Sequence, residues 1–198
     1  MCSSDLLFII AGIVYGITHN KKDEQQENKD ISYQTVDMIT NIRLGISNFD
    51  SIHPYVTNNQ EAIYIDQLIF EPLLSITEDY KVSECLAKEW SRIGDKTYVI
   101  KLNENIQWQD GSKFTAEDVK FSVTKLQSQT KSVYYSNVKN IKDVEIVDEN
   151  TVRIELKQTE PFFEYNLIFP IISSKQYKST SLNSNTIPLG TGQYKIAK

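Results

Sequence analysis

Two histidines and two cysteines in 198 residues leave little with which to build a metal centre or a redox site. His19 and His53 stand in separate stretches with no cysteine beside them, so no cluster has metal-ligand spacing, and neither a metal nor a cofactor is expected. Cys2 sits at the extreme N-terminus, far from Cys85 in the sequence. A disulfide between them is therefore not expected, and Cys85 reads as a small packed hydrophobe. Positive charge is also in deficit: 21 Lys and Arg face 26 Asp and Glu, a net charge of -5. The lack of a basic face to neutralise phosphates argues against a nucleic-acid partner. No Gly-x-Ser-x-Gly elbow occurs, and Gly190-Thr191-Gly192 lacks the third glycine and the helix of a dinucleotide loop. Carboxylates are abundant, but no spacing marks an acid/base pair. Together these absences argue against an enzyme.

What is present is an ordinary globular composition, 40% apolar and 24% charged, with the charges interspersed as on a solvated surface. The most informative stretch runs over residues 86–126. Tyr98, Ile100 and Leu102 alternate with Val99 and Lys101, the period of a half-buried strand. Residues 103–105 turn the chain. Ile106 and Trp108 resume the alternation until Asp110-Gly111, a pair suited to a turn that needs positive φ. Thr115 and Asp118 are spaced as a capping box, and Ala116, Val119, Val123 and Leu126 then fall on one helical face.

Elsewhere Ile42, Leu44 and Ile46 alternate as a first strand, and a turn-rich loop covers residues 48–54. Residues 61–70 read as a helix with Ala62, Ile65 and Ile69 inward, ended by Pro72. Residues 143–156 are a hairpin about Asp148-Glu149-Asn150. Val144, Ile146, Val152, Ile154 and Leu156 face in, while Glu145, Arg153 and Glu155 face out. Pro161 is placed to open a short helix. Phe162, Phe163, Leu167, Ile168 and Phe169 read as core. Residues 173–185, rich in Ser and Asn, read as a connection.

The N-terminus has its own pattern. Residues 6–17, LLFIIAGIVYGI, form a twelve-residue apolar run, short of the roughly 20 needed to span a bilayer but matching the apolar core of a signal sequence. Asp5 stands where a positive charge is usual, and Ile13 stands where a lipoprotein would carry its cysteine. Lipid attachment there is chemically excluded, which leaves an uncleaved anchor, a poorly processed signal or an altered start. The stretch after it, through Asp30, carries no large apolar residue and cannot offset its ordering entropy, so it reads as a flexible tether.

Several separated phrases, LAKEW, YVIKLNENIQWQDGSKFTAEDVKFSV, TEPFF and PLGTGQYK, occur in an order that resembles the family 5 extracellular solute-binding proteins. These are the oligopeptide, dipeptide and nickel receptors of ABC importers. The resemblance runs from about Thr40 to Lys198. It implies a mixed α/β (α+β) fold of the type II periplasmic-binding-protein kind, with an extra domain, part of lobe I and no second lobe. On that basis residues 1–20 are a signal or membrane-anchor segment, 21–37 a tether, 38–70 with 186–198 a partial lobe I, and 71–185 the extra domain. Since the family's chains are more than twice as long, this chain looks like an N-terminal portion.

The resemblance also implies a site. In the family the segment just before the first helix lies at the cleft and pairs with the backbone of a bound peptide. Thr57, Asn58, Asn59 and Gln60 are therefore the ligand-side candidates, and an extended segment can receive a peptide by strand addition. Tyr134 and Tyr135 stand where a tyrosine faces the ligand in some relatives, surface packing being the other reading. The glycine pair Gly190 and Gly192 marks the return to lobe I, with Gln193 where the family usually has proline. The expected role is a peptide receptor outside the cytoplasmic membrane, held there by residues 6–17 and partnered by an ABC permease. A membrane-anchored sensory or interaction protein, and a non-functional remnant of such a receptor, are the alternatives.

Overall fold

The computed structural model describes residues 43–45, 50–182 and 186–197. The apolar run at 6–17, the tether and the alternating positions Ile42 and Ile46 lie outside the described residues. The chain divides into the units Met1–Gly45 and Ile46–Lys198. Of the first, only residues 43–45 are described, and they form no helix or strand.

The second unit is built around a four-stranded antiparallel sheet. Its strands are β3 (Ala87–Ile93), β4 (Thr97–Leu102), β5 (Ile141–Asp148) and β6 (Thr151–Leu156), in the order β3-β4-β6-β5. A smaller hairpin precedes it, β1 (Leu74–Ile76) with β2 (Val82–Glu84). Register across the large sheet sets Tyr98 opposite Ile154 and Ile100 opposite Val152. One face therefore gathers Tyr98, Ile100, Leu102, Val152, Ile154 and Leu156, all buried.

Among the described residues the helices are α1 (Gln60–Ile69), α2 (Ala116–Gln127), α3 (Tyr135–Val138) and α4 (Ser174–Tyr177), with a 3-10 turn at Phe163–Asn166. Helix α2 buries Ala116, Val119, Val123 and Leu126 in the same core, the face its periodicity predicts. Asp118 closes its first turn by accepting the Thr115 N–H at 3.0 Å. That carboxylate is itself buried and accepts three further hydrogen bonds. They come from the Trp108 indole at 3.3 Å and from the Ser174 N–H and hydroxyl at 2.8 and 2.7 Å. One acid thus ties α2 to the Trp108 turn and to α4. Trp108 is buried edge-on to Phe114, and Gly111 has the positive φ, +81°, that the turn requires.

Gly190 and Gly192 lie against the C-terminal end of α1. A Cβ at Gly190 would stand 1.8 Å from the Ile69 carbonyl oxygen, so only glycine fits. The Gly192 N–H donates to that carbonyl at 2.8 Å. The Gln109 amide completes the clamp, donating to the Gly192 and Tyr194 carbonyls at 3.0 and 2.6 Å.

Some expectations need correction. Ile146 keeps the register of the inward face, opposite buried Val152, but is more than a third exposed because β5 is an edge strand of the sheet. Its buried positions are Ile141 and Val144. Pro161 does not open a helix. Phe162 takes the cap position of the 3-10 turn with φ +58°, and this left-handed backbone leaves its ring in solvent instead of the core. The stretch read as a connection after residue 173 contains α4. Cys85 is half-buried and is not the free packed thiol expected.

Candidate functional site

The segment leading into α1 is held from within. The Asp50 carboxylate accepts the Thr57 hydroxyl at 2.5 Å and the N–H groups of Asn58 and Ser51, each at 2.9 Å. These bonds favour its charged form and hold its pKa below the usual carboxylate range, the Thr57 hydroxyl contributing most. The Thr57 N–H donates to the His53 carbonyl at 3.0 Å and the Asn59 N–H to the Thr57 hydroxyl at 3.1 Å. Asn59 then caps α1, its side chain accepting the Ala62 N–H at 3.0 Å.

The four candidates in this segment consequently have different surroundings. Thr57 is fully buried, and Asn59 is half-buried and committed to the cap, whereas Asn58 and Gln60 are exposed. The N–H groups of Thr57, Asn58 and Asn59 all have internal partners. What the segment can offer an extended ligand is carbonyl oxygens, together with the Asn58 and Gln60 amides.

Behind the segment lies a buried polar group that sequence reasoning missed. Asp66, on the inward face of α1, is buried, and its Oδ2 has no hydrogen-bond partner. Burial, with the negative charge of Asp50 adding to it, pushes its pKa up to about 8. His53 is buried too, edge-on to Tyr177 at 4.7 Å and to Tyr55 at 5.5 Å. Its Nδ1 accepts the Tyr55 N–H at 3.1 Å, and burial lowers its pKa to about 4. The Tyr55 hydroxyl donates to the Pro170 carbonyl at 2.6 Å. Only the spacing Ala62, Asp66, Ile69, which puts the acid on the apolar stripe, could have drawn attention to Asp66 in advance.

Tyr134 is brought into this group. It is half-buried, and burial together with the nearby Asp66 charge pushes its pKa up to about 12. Tyr135 opens α3, also half-buried, and no described hydrogen bond joins it to the 50–60 segment. Among the described residues no set of three or more His, Cys, Asp or Glu side chains could hold a metal ion.

The arrangement offers a segment pinned from within and the exposed side-chain amides of Asn58 and Gln60, and among the described residues of this group no nucleophile is hydrogen-bonded to a base. It is equipped to hold a ligand by its main chain. The sequence model of the bacterial extracellular solute-binding proteins, family 5 Middle, matches residues 81–198. The chain belongs to that family. It is 30% identical over 155 residues to the glutathione-binding protein GsiB of Escherichia coli, a match covering 76% of this chain and 30% of that protein. Among solved structures it is similar to NikZ from Campylobacter jejuni, crystallised with Ni(L-His), at 31% identity and a TM-score of 0.69, covering 77% of this chain and 31% of that one. The oligopeptide-binding protein AppA of Bacillus subtilis, solved with a nonapeptide, shares the fold at 20% identity and a TM-score of 0.66, covering 79% of this chain and 33% of that one. The chain thus spans about a third of the length of these relatives, and its fold is that of the type II periplasmic-binding-protein class.

Proposed function

We propose that this chain serves as the substrate-binding component of an ABC importer, outside the cytoplasmic membrane, with peptides as the substrate class. Residues 57–60 and Tyr134 form its ligand side, with Tyr135 at the margin. The observation that carries this reading is the Thr57–Asn59 segment, fixed by Asp50 on one side and by the α1 cap on the other. A peptide laid along it meets carbonyl oxygens whose geometry is already set, which lowers the ordering cost of binding.

The bonds from Gly192 and Tyr194 to the end of α1 support grouping residues 38–70 with 186–198 as one lobe, and 71–185 as the extra domain. The family's extracellular character supports placement at the cell surface or in the periplasm, with residues 6–17 as anchor and an ABC permease as membrane partner. Among the described residues no helix is long and apolar enough to cross a membrane.

The test is chemical-shift mapping of the isotope-labelled chain against a mixed di- to pentapeptide library. The amides of residues 57–60 and the Tyr134 ring should shift together and saturably, with a Kd of about a millimolar or tighter. Saturable peptide binding that leaves these residues unmoved would overturn the assignment of the site. An absence of peptide binding alongside tight binding of another solute class would overturn the peptide reading.

A further inference from the structure

Among the described residues two other than glycine have positive φ, Tyr80 at +59° and Phe162 at +58°, and both are aromatic. They are also the two most exposed large apolar side chains described, at 82% and 72%. A bulky residue in the left-handed region is a conformational outlier that surrounding structure must hold in place, and outliers of this kind gather at binding sites. Here the holding contacts are visible. The Tyr165 hydroxyl donates to the Tyr80 carbonyl at 3.1 Å, and the Phe162 ring stands edge-on to Tyr165 at 6.4 Å.

Phe162 forms one wall of a cavity of about 300 Å³ whose other lining includes Trp90, Tyr98, Arg92 and Glu164. The charge inside is biased. The Arg92 guanidinium is already engaged, donating to the Gly94 and Asp95 carbonyls at 2.9 and 3.2 Å and pairing with the Asp95 carboxylate at 3.5 Å. Glu164 forms no ion pair among the described residues. Its negative charge is felt by Tyr98, whose pKa is raised by burial first and by Glu164 second, Arg92 opposing by less.

We propose that this cavity is a second binding site, distinct from the 57–60 segment, that takes an organic cation of the guanidinium or alkylammonium class. The cation would lie against the faces of Trp90 and Phe162, with Glu164 supplying the counter-charge. Aromatic faces attract cations through the ring quadrupole, Trp most strongly, and a carboxylate at the rim adds charge complementarity. The strained backbone at Phe162 is what turns its ring outward to complete the wall. The site does not depend on the peptide reading above.

The full 198-residue chain provides its own control, because it has two tryptophans. Trp108 is buried away from the cavity and Trp90 lines it. In a nitrogen-15 correlation spectrum, tetramethylammonium should shift the Trp90 indole N–H in a saturable way and leave that of Trp108 in place, while neutral tert-butanol should do neither. Glu164→Gln should weaken the cation at least about fivefold. Phe162→Gly relieves the left-handed backbone, so the fold should persist, as the Trp108 resonance will report, while cation binding is lost. Arginine amide and an Arg-centred pentapeptide amide separate the sources: an equal response marks a site for free cations, and a stronger peptide response marks a site for a cationic side chain. Absence of any saturable Trp90 shift with all three cations would overturn the proposal. So would an equal shift with tert-butanol, or Glu164→Gln binding as the unmodified chain does.

Discussion

The sheet with its helix α2, and the segment 50–69 that enters α1, are stabilised in opposite ways. In the first, nearly everything inside is apolar, and the one buried acid, Asp118, has four hydrogen bonds. In the second, His53, Thr57 and Asp66 are buried together, and both His53 Nε2 and Asp66 Oδ2 lack a hydrogen-bond partner. A buried polar group without a partner costs about 1–3 kcal/mol. The first region is therefore the part that folds the chain, and the second gives up stability beside the candidate ligand segment, the pattern expected where a site is carried on a rigid scaffold.

Breaking the scaffold should give the largest effect. Trp108→Ala removes a fully packed indole and one of the Asp118 donors, and should cost about 3–5 kcal/mol in a denaturant titration. A smaller loss would show that the Trp108 turn is not part of the packed core.

The next effect concerns pH and the second region. The folded-state pKa of Asp66, about 8, lies above its ordinary value of 3.8, so the folded chain holds a proton that the unfolded chain has released. Its contribution is fully present below about pH 4 and is lost as pH rises toward 8. His53 works the other way: its folded pKa of about 4 lies below 6.5, so its contribution is lost as pH falls from 6.5 to 4. Between pH 4 and 6.5 the two oppose each other, and above 6.5 Asp66 acts alone. Stability should therefore fall by about 2 kcal/mol between pH 6.5 and 8. Asp66→Asn should abolish that fall, as thermal melts across this range will show; an unchanged slope would locate its cause in another group.

The joint between the two regions comes next. Gly190→Ala forces backbone away from Ile69 and should cost about 1–3 kcal/mol, a cost comparable to overpacking a core. Hydrogen exchange should then rise first at the amides of Gly192 and Tyr194, which bond the end of α1. The smallest effect is Thr115→Ala, a cap at the start of α2, at about 0.5–2 kcal/mol. If Thr115→Ala cost as much as Trp108→Ala, the division into an apolar core and local trimmings would be wrong.

Legibility in the sequence followed the same division. The buried positions of β4, β6 and α2 were readable because each follows the period of its own element, and a core made by one sheet face and one helix stripe needs no further information. Ile146 and Phe162 depart from the local pattern because an edge strand and a left-handed residue expose side chains without changing composition. The candidate site was legible only in outline. Resemblance to a family pointed to residues 57–60, but that Thr57 turns inward to Asp50, that Asn59 is spent on the α1 cap, and that Tyr134 meets the field of Asp66 are long-range facts.

What the sequence by itself determined was the class of elements, the apolar face of each and the family, because these depend on local periodicity and on ordered local phrases. Only the tertiary structure decided which polar groups would be buried and with whom. Asp66 sits at an ordinary helical position until its neighbours close over it, and its charge state follows from that burial. Gly190 is one glycine among seven until the Ile69 carbonyl comes within reach of where its side chain would be. Both are set by contacts between residues distant in the chain, which no local pattern encodes.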